Sequence, residues 1–214
     1  MTLRVFRKLC LAASLVLAAG PVLAETAQTH EQRIDRLTDS MVVLMPFGTI
    51  FESVAAADPS WPAMERADEI SARQLVCLRG ELSTEGYRRY ARGMVQVYAD
   101  ANPGRLDSDI ALVESGVAEM FGKLVLAGAE GERTGVQADP EQLLAGYAPE
   151  QLEAFMTFFS AEEHAGLREL AGLGNQLNTA KSAEENEAAG EQLGSALAGK
   201  LMARAMDTCG VKLP

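Results

Sequence analysis

The sequence predicts an all-α protein, an irregular bundle of six to eight helices, and three observations carry that prediction. Apolar residues recur at three- and four-residue intervals in segment after segment. Capping residues, prolines and glycines bracket those segments as helix starts and stops. No run of alternating β-branched residues flanked by turn dipeptides occurs, so strand signals are missing.

The first element is a leader. Arg4, Arg7 and Lys8 precede an apolar run over residues 9–19, which Gly20 and Pro21 break before Val22-Leu23-Ala24. This is the layout of a signal peptide cleaved after Ala24, leaving one α-helical domain over residues 25–214. The run is shorter than the roughly 20 apolar residues of a membrane span. Cys10 precedes most of the run, which is not the place of a lipid-acceptor cysteine.

Export implies a periplasmic or secreted protein and changes the composition. Of 19 Lys+Arg and 30 Asp+Glu, the leader takes three bases and no acids, so 16 bases face 30 acids, a formal charge of −14. Such a surface repels phosphate backbones and anionic headgroups, which argues against nucleic-acid and membrane-surface partners. Cys77 and Cys209 remain, and in an exported chain a disulfide is their default state, with two separate buried thiols as the alternative. Closing a loop of more than a hundred residues is worth about 4–5 kcal/mol in the chain-entropy model.

The helices follow in order. Residues 30–44 form the first, stopped near Pro46; residues 47–57 form the second, ended by Asp58-Pro59-Ser60. A third spans residues 62–79, with Gly80 as its stop. Ser83 caps a fourth with Tyr87, Tyr90, Ala91, Met94 and Tyr98 on one face, and Asn102-Pro103-Gly104 turns the chain. Asp107 or Ser108 starts a fifth, striped by Ile110, Val113, Val117, Met120, Phe121 and Leu124. Residues 128–135 read as a glycine-rich, charged connector, a mobile loop or an internal boundary, and Asp139 caps a short helix over residues 140–146.

The densest aromatic cluster lies in residues 147–173. Leu152, Phe155, Met156 and Phe159 share one helical stripe behind Pro149, which suits a first turn. Ser160 and Glu163 read as a capping box for the next helix, so this pair is the expected nucleus of the core. Residues 175–182 form a loop, and the last helix runs over residues 183–208. It carries a row of Gly190, Gly194, Ala198, Met202 and Met206 beside Leu193, Leu197 and Leu201, a helix buried on more than one side. The row reads as ordinary packing, with self-association as the sharper reading.

Catalytic signals are sparse. GxSxG, SxxK, HExxH, Cys/His zinc spacing and a phosphate loop are all missing, so no catalytic residue, cofactor or metal is expected. His164 reads as part of a solvated first turn. Arg88, Arg89 and Arg92 form the one basic concentration, a candidate anion-binding site if Tyr87 or Tyr98 lines a pocket beside them.

Residues 147–152 followed by Phe155 and Phe158-Phe159-Ser160 resemble a bacterial exported helical family of unknown function. Its hallmark is a Phe-Thr-Glu-Glu-Glu-Leu helix start and a Phe-Tyr-x-Ser-Pro-x-Gly helix end. Phe158-Phe159 stands for Phe-Tyr and Ser160-Ala161 for Ser-Pro, while Gly166 falls later than the family glycine. The resemblance covers about 25 residues; it implies an exported α-helical protein and transfers no site residues. The functional expectation is a non-enzymatic protein-interaction or accessory module. The alternative is a binder of a small apolar or anionic ligand in an inter-helix cavity, with an enzyme built on His164 and distant carboxylates third.

Overall fold

Thr29 Oγ1 accepts the Gln32 N–H while Gln32 Oε1 accepts that of Thr29, so α1 (His30–Leu44) starts on a reciprocal cap. The computed structural model describes residues 28–174 and 180–212; the expected leader lies outside the described residues. At Met45 and Pro46 the chain bends by 50° into α2 (Phe47–Ala57). No single described helix is long and apolar enough to cross a membrane.

The third helix is shorter than expected and starts later. Residues 64–69 form a 3-10 turn, and α3 (Ala72–Leu82) begins where Ser71 and Gln74 exchange hydrogen bonds. That cap competes with a continuous helix from Pro62, and Gly80 lies within α3 instead of ending it. Ser83 ends α3 and begins α4 (Thr84–Ala101): its hydroxyl donates to the Gly80 carbonyl and accepts the Gly86 N–H.

The expected fifth helix is broken. α5 (Leu106–Leu112) passes through a π turn at Val113–Val117 into α6 (Ala118–Thr134). Gly116 in that turn has φ +114°, where a side chain is strained, and a Cβ there would sit 2.7 Å from Gln151 Nε2. The connector expected over residues 128–135 is helical to Thr134, because Leu, Ala, Glu and Arg outweigh Gly128 and Gly131. Only Gly135, at φ +72°, ends it.

Asp139 caps α7 (Pro140–Leu144), and α8 (Pro149–Ser160) follows. Ser160 does not cap the next helix. It closes α8, and a 3-10 turn at Glu162–His164 leads into α9 (Ala165–Leu170). The junction is held instead by buried Arg168, whose Nη1 donates to the Phe158 and Ala161 carbonyls at 2.6 and 2.9 Å. A cation at the end of α8 also suits its dipole. α10 (Ala183–Thr208) starts on a Ser182–Glu185 capping box. The described residues therefore contain ten α-helical segments, α5 and α6 running as one bent path, and no strand.

The centre of the bundle is α1, not the α8–α9 pair. Ile34, Leu37 and Leu44 are fully buried, with α4, α5, the π turn and α6 packed around them. A Cβ on Gly122 of α6 would lie 2.0 Å from the Val43 carbonyl oxygen, so that glycine lets α6 touch the α1 backbone. α8 lies across the π turn, which turns Phe158 and Phe159 inward and leaves Met156 49 % exposed. Phe159 then meets Phe121 at a tilt and Phe158 edge to face, with ring centres 5.4 Å and 4.9 Å apart.

The Cys77–Cys209 disulfide is present, with Cα atoms 5.8 Å apart, and fastens the end of α10 to α3. Such a bond belongs to an oxidising compartment. Contrary to expectation, α10 is buried along one face only. Leu193, Leu201 and Ala205 are covered, while Glu184, Glu185, Glu187 and Glu191 face solvent. A Cβ on Gly190 or Gly194 would meet nothing within 4 Å, so among the described residues no neighbour packs on the glycines of the small-residue row, while Ala198, Met202 and Met206 further along it rest on the core.

Candidate functional site

The three arginines singled out in the sequence do not converge. Arg88 Nε lies 2.6 Å from Asp39, and Arg92 reaches Asp35 at 2.9 Å and Glu31 at 2.5 Å, all on α1. Arg89 turns to the opposite flank and meets Glu81 at 3.0 Å. Hydrogen bonds to Asp39 and to Asp35 with Glu31 raise the pKa of Arg88 and Arg92, so both stay charged and strap α4 to α1. Tyr87 is buried in the core, and Tyr98 lines a groove that contains none of the three. An incoming anion would have to displace a carboxylate already in place.

That groove is the most distinctive surface feature. Tyr87, Ala91, Val95 and Ala99 of α4 face the core, which leaves a second apolar stripe of Tyr90, Met94, Val97 and Tyr98 beside them. With Gly166 and Leu170 of α9 this stripe lines an open groove of about 570 Å³. Val97 in its wall is 71 % exposed. The expected inward face of α4 is thus divided, half core and half groove.

Gly93 also lines it. In the middle of an 18-residue helix glycine costs about 1 kcal/mol relative to alanine. Nothing internal requires it: a Cβ at Gly93 would meet no atom within 4 Å. On the opposite wall, a Cβ at Gly166 would make only ordinary contact with the Tyr98 ring, at 3.4 Å. The effect of both glycines is to keep the groove open.

One end of the groove rests on a buried polar cluster that the sequence did not disclose. Asp109 is fully buried and accepts a hydrogen bond from the Tyr98 hydroxyl at 2.6 Å. Arg105 Nη2 lies 3.5 Å from both Asp109 Oδ1 and His164 Nδ1, and His164 Nδ1 is 3.7 Å from the same oxygen. His164, expected in solvent, is 8 % exposed, because the 3-10 turn folds it against α5. Burial, together with the hydrogen bond to Asp109, pushes the Tyr98 phenol up. The adjacent guanidinium offsets the cost of burying the Asp109 carboxylate. The cluster joins α4, α5 and the turn before α9, and so fixes the spacing of the groove walls.

The i,i+4 spacing of Arg105 and Asp109 was a legible signal for half of this cluster. No local pattern marked His164 as its partner. Among the described residues no group of three or more His, Cys, Asp or Glu is placed to hold a metal.

A smaller slot of about 220 Å³ lies between Phe51, Ala55, Ala56, Trp61 and Leu82. Its polar neighbours are committed elsewhere: Arg79 donates to the Trp61 and Pro59 carbonyls, and Glu52 accepts from the N–H and hydroxyl of Thr84.

No family model, curated protein or solved structure matches this chain, so the motif resemblance over residues 147–160 supplies neither a family nor a residue role.

Proposed function

We propose that this chain is a non-enzymatic interaction module, exported to the periplasm or beyond, that receives an apolar segment of another protein in the α4–α9 groove. The observation that carries the reading is the second apolar stripe of α4, left uncovered over a glycine that the fold does not need. Apolar side chains grouped in an open groove mark an interaction surface, whereas scattered ones need no explanation. The basic leader and the disulfide support export.

Three valines provide the test. Val97, Val76 and Val136 are equally exposed, at 71, 71 and 72 %, but only Val97 lies in the groove. A photo-crosslinking residue at each position, activated in the native cells, is expected to give a discrete adduct from position 97 alone. Equal labelling at all three, or none at 97, overturns the reading.

The second reading, a small apolar or anionic ligand, is favoured by the slot beside Trp61. At about 220 Å³ it falls below the roughly 300–1,000 Å³ of ordinary ligand sites. A thermal-shift screen of periplasmic metabolites, with Trp61 fluorescence as readout, tests it.

A further inference from the structure

We infer that the occupant of the α4–α9 groove is a basic amphipathic helix of about three turns, presenting an apolar stripe to α4 and lysines or arginines to the rim. This rests on the interaction-module reading and adds the chemistry of the partner. Length comes first. The α4 wall runs from Tyr90 to Asn102, which at 1.5 Å per residue is about 18 Å, or three turns and a little more. Its apolar positions, Tyr90, Met94, Val97 and Ala101, repeat at intervals of four, three and four, the register of a helical stripe. A second helix packs on such a stripe at 8–10 Å between axes when the seam is small. Gly93 and Gly166 make it small on both walls, and neither is required by the packing around it.

Charge supplies the sign. Glu169 is the one charged side chain lining the groove, is exposed, and has no partner among the described residues. Asp100, exposed on the α4 flank one turn beyond Val97, already accepts from Gln96 Nε2 at 3.0 Å and lies 3.6 Å from His30 Nε2, so Glu169 is the unpaired carboxylate at the groove. On that flank Arg89 is taken by Glu81 at 3.0 Å. Arg204, stacked 4.8 Å from the Tyr90 ring centre, meets Glu81 as well, at 3.3 Å. The whole chain carries a formal charge of −11. Complementary fields set partner choice and on-rate, so an unpaired Glu169 beside an apolar floor, on a chain of net negative charge, selects a cationic helix over an acidic one.

Three 15-residue helical peptides with one leucine stripe and polar faces of lysine, glutamine or glutamate test this on the intact oxidised protein. Fluorescence anisotropy at low and high salt reads the affinity. The lysine peptide is expected to bind at least about tenfold more tightly than the glutamate peptide, with the difference shrinking as salt rises. Glu169→Lys is expected to weaken the lysine peptide about fivefold and to strengthen the glutamate peptide. Gly93→Leu has open space to occupy, so it should melt at or above the wild-type temperature while losing at least about tenfold in peptide affinity. Equal binding of the lysine and glutamine peptides, or normal binding by a folded Gly93→Leu protein, overturns the inference. So does a groove-dependent dimer in sedimentation, which would make the occupant a second copy. Failure of every peptide while position 97 still yields its discrete adduct sinks the basic-helix assignment alone. Loss of that adduct sinks the module reading with it.

Discussion

α1 and α10 sit at opposite ends of the chain and are held in opposite ways. α1 is gripped along most of its length: Ile34, Leu37 and Leu44 are fully buried, and Arg88 and Arg92 of α4 clamp its acidic face, leaving a strip with Asp39 and Val43 in solvent. α10 is nearly twice as long yet lies on the body along one face, with its acidic first turns in solvent. Its fastenings cluster at the far end, where Cys209 meets Cys77, Gln74 Nε2 donates to the Gly210 carbonyl, and Arg204 reaches Glu81. The difference teaches that helix length and apolar content do not measure burial. What does is the number of neighbours able to approach: of these two helices α1 has a described glycine, Gly122, opened against its backbone, and α10 does not.

The largest expected effect comes from striking the gripped helix. Leu37→Ala removes a side chain with no exposed surface, in a place where neighbours on every side resist collapse, and should cost about 2–5 kcal/mol. Leu193→Ala on α10 removes the same atoms at 8 % exposure, where a one-sided contact can relax. It is expected to cost no more than about 2 kcal/mol, near the lower end of the range. Urea melts of the two variants check this, and similar losses would end the contrast.

Next comes the covalent fastening. Replacing Cys77 and Cys209 with serine opens a loop whose ends are 132 residues apart, and is expected to cost about 2–5 kcal/mol. The sharper prediction concerns where. Because α10 leans on the body along one face, hydrogen exchange in the reduced or mutated protein should rise first in α10, while α1 stays protected. Uniform loss of protection would show that the disulfide serves the whole domain equally.

These contrasts also show what was legible. Helix class, several helix starts and the disulfide followed from local chemistry: Ser83 and Asp139 cap where a side-chain acceptor precedes a periodic run, and the last helix starts behind Ser182, whereas the Ser71 cap was hidden inside a continuous run from Pro62. The failures are long-range. Gly116 reads as one tolerated glycine in a helical stripe, and nothing local announces its positive φ or the approach of Gln151 from α8. The stripe of α4 was read as a single face, since nothing local says that α1 takes one half of it and α9 borders the rest. His164 joined Asp109 across 55 positions of sequence, and no spacing rule reaches that far. Candidate-site residues were therefore visible as types and invisible as a set.

The smallest expected effect tests the cluster that spaces the groove walls. The Tyr98 phenol is raised in the folded protein by burial and by its bond to Asp109, and burial raises Tyr87 as well. A phenol whose folded pKa lies above the unfolded value binds its proton more tightly when folded. Its contribution is complete below pH about 10, and is lost as pH climbs from there through the raised value. Wild-type stability should therefore fall as pH climbs above about 10. Tyr98→Phe should cost about 1–2 kcal/mol at neutral pH, because Asp109 loses a hydrogen bond. In exchange its alkaline slope should be shallower than wild type, with Tyr87 supplying what remains. Urea titrations at four pH values separate the two terms, and an unchanged slope would mean that Tyr98 does not hold its proton through Asp109.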